Sequence, residues 1–65
     1  MDNDRIIGKW TEIKGHLQEA YGELTDDEIE QAKGDRNQLE GVMQQKLGKT
    51  KDEARAAVDR ILDKV

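Results

Sequence analysis

A chain of 65 residues forms one domain at most, and a domain of that size buries only about 60% of the surface its unfolded chain exposes. Cys is absent, so neither a disulfide nor a thiolate metal site supplements the thin core. Charged residues make up 40% of the chain and Ile, Leu and Val only 13 positions, near the disordered class; the net charge is a modest −4, however, and the apolar residues are periodic, so a folded, marginally stable domain is expected.

The mild acidity argues against a general nucleic-acid binder, which shows a basic stripe. No apolar run nears the roughly 18 residues of a membrane span. The N-terminus "MDNDRIIGKW" puts acids first and has no long apolar segment, so it does not read as a signal peptide. The expectation is a cytoplasmic protein with no membrane insertion.

In chain order, Ile6, Trp10, Ile13, Leu17, Ala20 and Leu24 recur at spacings of three and four, which is one stripe on one helix. Asp2, Asn3 or Asp4 is its candidate cap, and Gly22, after Tyr21, stands where a left-handed residue would end it. "TDDE" follows. Thr25 and Glu28 have the spacing of a capping box, and Asp26 and Asp27 add negative charge at the positive end of the helix dipole. A short helix over 26–33 then buries Ile29 and Ala32, and Gly34 stops it. The third helix covers 35–47 with Leu39, Val42, Met43 and Leu47 as its stripe and Gly48 as its C-terminal glycine. "TKDE" repeats the capping box with Thr50 and Glu53. The last helix, 51–64, buries Ala54, Ala57, Val58, Ile61 and the flanking Val65.

The two halves, about 4–33 and 34–65, superimpose in sequence. Gly8, Ile13, Gly15, Leu17, Tyr21 and Gly22 fall on Gly34, Leu39, Gly41, Met43, Leu47 and Gly48 at a constant offset, and the capping boxes match with one residue fewer in the second turn. Each half reads as helix, glycine turn, capped helix. Neither hairpin buries its stripe alone, so the expected fold is all-α: four short helices as two repeated hairpins packed on each other. Gly15 and Gly41 fall mid-helix, nearly opposite the main stripe, at a cost of roughly 0.5–1 kcal/mol each relative to Ala. A close backbone contact there, more at Gly41 than at Gly15, is weighed against a plain solvated face.

The ordered set "GKW…KG…YGELTDDE…GDRNQLEG…QQKLG…DEA" covers almost the whole chain. It resembles the CsbD-like family of small bacterial general-stress proteins. The resemblance implies two helical hairpins packed roughly crosswise, similar to SAM-like domains, and accumulation under stress or in stationary phase. It brings no established molecular activity, and so no catalytic residue and no cofactor.

The residues themselves offer little chemistry. His16 is the one histidine, and transition metals usually need three or four ligands, so an ordinary surface residue is expected. Asp26, Asp27 and Glu28 lack the alternating ligands and loop glycine of an EF-hand and are explained by capping. Trp10 belongs to the stripe rather than to a base-stacking platform. Ser and Cys are absent, and Thr25 and Thr50 are assigned as caps, which leaves no nucleophile–base pair. Lys49 and Lys51 flank the second turn beside Gly48 and are the candidate phosphate contacts; the corresponding first turn, "GELTDDE", would repel phosphate. The favoured function is that of a non-enzymatic, stress-associated protein, monomeric, acting by interaction with an unidentified macromolecule or by protection. The alternative is a small nucleic-acid or phosphate-binding hairpin module.

Overall fold

The computed structural model describes residues 2–65, with side chains from Asn3 onward. The chain is all-α, with helices α1 (Asp2–Gly8), α2 (Trp10–Ala20), α3 (Asp26–Gln31), α4 (Arg36–Leu47) and α5 (Lys51–Lys64). Among the described residues five helices stand where four were expected, because the first is broken. Lys9 leaves helical geometry at φ −115°, ψ 21°. Hydrogen bonding nevertheless runs through the break: the Lys9 N–H reaches the Arg5 carbonyl and the Ile13 N–H reaches the Lys9 carbonyl, both at 2.9 Å. The result is a kink beside Gly8, a weak helix former at the break. The stripe crosses it in phase, and Ile6, Trp10, Ile13 and Leu17 are all buried.

The end of α2 departs from expectation in two ways. Ala20, assigned to the stripe, is exposed. Gly22, assigned as a left-handed terminator, has no positive φ; Gly34 and Gly48 are the described glycines that do. Tyr21 ends the helix instead, at φ −132°, ψ 75°. The Leu24 N–H then closes a tight turn onto the Tyr21 carbonyl at 3.0 Å, carrying Leu24 into the core without a left-handed residue.

Both capping boxes are formed. The Thr25 hydroxyl accepts the Glu28 N–H at 3.2 Å while the Glu28 carboxylate accepts the Thr25 N–H at 2.9 Å. Thr50 and Glu53 do the same at 3.1 and 2.9 Å. The start of α4 is capped twice: the Asp35 carboxylate accepts from the Asn37 and Gln38 N–H groups, and the side-chain carbonyl of Asn3 accepts the Arg36 N–H at 3.0 Å. Asn3, a candidate cap for its own helix, thus lies within α1 and caps α4. At the other end of α4, Gly48 is left-handed (φ 67°) and its N–H returns to the Met43 carbonyl.

One core cluster joins all five helices: Ile6, Trp10, Ile13, Leu17, Leu24, Ile29, Ala32, Leu39, Met43, Ala54, Ala57, Val58, Ile61 and Leu62. Leu62 was not assigned to the core from the sequence. Tyr21, Val42, Leu47 and Val65 pack on its margin. The dominant helix pair is α4–α5. Helix α2 packs on α5, and α1 and α3 pack on α4. The Arg5 guanidinium donates to the Leu62 carbonyl at 2.8 Å, tying α1 to the last turn of α5.

Gly15 and Gly41 have open space around them. A Cβ built on either meets nothing within 4 Å, which overturns the close-contact expectation. Helix α4 does receive α1, α3 and α5, but none of them crosses the Gly41 face.

Candidate functional site

Lys49 and Lys51 do not converge. The Lys49 ammonium sits 5.3 Å from the centre of the Tyr21 ring, a cation–π distance. It borders a shallow depression of about 230 Å3 with Tyr21, Glu53 and Arg60. Lys51 borders a different depression, of about 350 Å3, with Arg36, Glu40, Arg55 and Asp59. In the second depression Arg36 already faces two carboxylates, Glu40 and Asp59. Arg36 Nε donates to Glu40 at 2.7 Å, and its Nη2 donates to Asp59 at 2.5 Å and to the Arg55 carbonyl at 3.2 Å. The two lysines therefore do not form a single phosphate cradle.

The densest set of interacting side chains surrounds α3 instead. Glu30 accepts the Trp10 indole N–H at 3.1 Å and pairs with the Lys14 ammonium at 3.3 Å, both from α2. Asp26 accepts the Gln18 amide, also from α2. On the other side, the Glu28 carboxylate pairs with Lys46 of α4 at 3.2 Å. The Thr25 N–H, with Lys46 as a further cause, holds the Glu28 carboxyl below its ordinary range. The Trp10 N–H and then Lys14 do so for Glu30, and the Thr50 N–H and hydroxyl for Glu53. Trp10 is thus a core residue whose one polar atom reaches a surface carboxylate, as a buried indole requires.

Sequence reasoning missed these ties because they join residues distant in the chain. The repeat held one clue. Trp10 corresponds to Arg36 and, across the shorter second turn, Glu30 corresponds to Arg55. Both pairs touch, Trp10 with Glu30 and Arg36 with the Arg55 carbonyl. Matched positions in the two halves therefore mark where the first helix of each half meets the second.

His16 is half-buried on α2. Among the described residues no group of three or more His, Cys, Asp or Glu side chains is arranged to hold a metal ion. Asp26, Asp27 and Glu28 occupy the first turn of α3, with Asp26 and Glu28 turned to the partners above. A third open depression, of about 320 Å3, is lined by Ile7, Gly8, Lys9, Trp10, Thr11, Glu12 and Lys33. It contains Ile7, a large apolar side chain that is 60% exposed. No helix among the described residues is long and apolar enough to cross a membrane.

The CsbD-like family model matches residues 4–56. Among similar proteins, a UPF0337 protein of Bordetella pertussis is 41% identical over 64 residues, which span 98% of this chain and 97% of the relative. The UPF0337 protein YjbJ of Escherichia coli is 41% identical over 59 residues, 91% of this chain and 86% of the relative. A UPF0337 protein of Bdellovibrio bacteriovorus is 46% identical over 54 residues, 83% of this chain and 58% of the relative. No solved structure matches. The glycine beat, the paired capping boxes and the core residues from Ile6 to Ala54 lie within the matched region, and the chain belongs to the CsbD-like family.

Proposed function

We propose that the protein is a non-enzymatic, stress-associated cytoplasmic monomer that acts through its hydrated surface, by interaction or protection. The observation that carries this reading is the distribution of polar groups. The described core contains no polar or charged residue, and the depressions above it are open; in the one beside α4 and α5 the lining is largely charged, with Arg36 paired to Glu40 and Asp59. Acid–base or nucleophilic catalysis works best in a dry, concave site with an unpaired reactive group, and this surface offers open depressions and ion pairs at its margin. Membership of the CsbD-like family supports the stress association. The internal repeat supports a further part of the proposal, that the halves behave as two crosswise hairpins of SAM-like kind.

The test is protection of a labile enzyme against heating or drying, with the protein added over a concentration series. Retained activity should rise with concentration and exceed that given by an equal mass of serum albumin. Equal retention with both would remove the protective role. Salt-dependent binding of the same sample to DNA or RNA would move the assignment to a nucleic-acid module.

A further inference from the structure

Helix α3 is attached differently from its neighbours. It has six residues, of which only Ile29 is buried, with Ala32 buried just beyond its end. Isolated helices shorter than about 12 residues are marginal in water, so α3 depends on what holds it. Its main packing contact is with α4. To α2 it is joined by polar bonds: Asp26 with Gln18, and Glu30 with Trp10 and Lys14. Glu28 adds the pair with Lys46 of α4 while closing the capping box that starts the helix. Three of the six residues of α3 are thus carboxylates bonded to the flanking helices.

We propose that α3 is an acid-released latch, which leaves α2 and α4 when Glu28 and Glu30 are protonated while the α4–α5 pair stays packed, uncovering the apolar face beneath Ile29 and Ala32. A carboxyl group that gains a proton loses its charge toward Lys14 or Lys46 and becomes a poorer acceptor for the Trp10 and Thr25 N–H groups. The cations facing these acids are Lys14 from α2, Lys46 from α4 and Lys33 just beyond α3, and all favour the ionised form. The Asp26 partner, Gln18, is neutral. Glu28 and Glu30 are both held below the ordinary value of 4.5, so release falls below that pH. Glu53 titrates in its own capping box, with Lys49 nearby. The helix it caps, α5, has 14 residues and buries Ala54, Ala57, Val58, Ile61 and Leu62, so losing that box leaves α5 anchored. This inference concerns conformation and stands apart from the protective role.

The experiment is residue-resolved amide exchange on the full chain, wild type against the double variant Glu28→Gln/Glu30→Gln at neutral pH. Amides of α3 in the variant should lose about tenfold or more of their protection, while those of α5 keep theirs. Unchanged α3 protection, or equal loss across α3 and α5, overturns the latch. Acid titration of the wild type gives a second readout that needs no variant. Emission from Trp10, whose indole is bonded to Glu30, should change at a higher pH than far-ultraviolet helicity is lost from α4 and α5. Coincident transitions would mean that the whole domain unfolds at once and that α3 has no separate release.

Discussion

Gly15 and Gly34 look alike in the sequence, both small residues in a regular sevenfold series, and only backbone geometry separates them. Gly34 is left-handed at φ 80°, and a Cβ there would stand 3.1 Å from Ile7 Cγ1. Ile7 is 60% exposed and can yield. The backbone cannot, since a left-handed conformation costs an L-residue roughly 1–2 kcal/mol. Gly34→Ala should therefore destabilise by about that amount in urea-induced unfolding, and an unchanged midpoint would show that the turn re-forms at no cost. Gly15 and Gly41 lie in ordinary helix with open space around them. Their replacement by Ala should stabilise by roughly 0.4–1 kcal/mol each, by narrowing the unfolded ensemble and favouring the helix. A lower melting temperature for either Ala variant would mean that something packs on that face in solution. The sequence carried the beat but not these φ values, which is why a close contact at Gly41 was favoured and then overturned.

Local elements were legible where their signals are local. Thr-x-x-Glu is a four-residue motif whose bonds close within itself, so both capping boxes were readable. The kink at Lys9 was not, because Ile6, Trp10 and Ile13 keep helical spacing across it and the hydrogen bonds continue. Asn3 was misplaced for the opposite reason: its partner, the Arg36 N–H, is remote in sequence. The same remoteness hid the Trp10–Glu30 and Glu28–Lys46 links of the candidate site, and with them the fact that Lys49 and Lys51 border separate depressions. Thr25→Ala and Thr50→Ala should each cost about 0.5–2 kcal/mol, the usual range for a lost N-cap. The larger loss is expected at Thr25, because α3 buries one residue within its span and α5 buries five. Paired denaturation curves decide the order, and a larger loss at Thr50 would mean that α3 is held by its polar ties more than by its cap.

At the scale of the whole molecule, a core of mostly mid-sized aliphatic side chains leaves a small stability margin, and carboxylates fixed by the fold govern how it varies with pH. Glu28, Glu30 and Glu53 all have folded-state values below the ordinary 4.5. In the unfolded chain these groups bind protons more readily, so in the acid range the unfolded state holds more protons than the folded one. Stability from these groups is therefore fully present above the unfolded value and is lost as pH falls through the folded values. The exposed Lys14 and Lys46 pairs are screened by solvent and salt, so the bonds from backbone and indole N–H groups carry most of the dependence. Replacing all three glutamates by Gln should lower stability at pH 7, since a neutral amide accepts these bonds less strongly. It should also flatten the decline as pH falls below the ordinary value of 4.5, because Gln has no proton to gain. Urea midpoints measured at several pH values for wild type and triple variant test both parts. Parallel declines would mean that these three glutamates do not set the acid sensitivity.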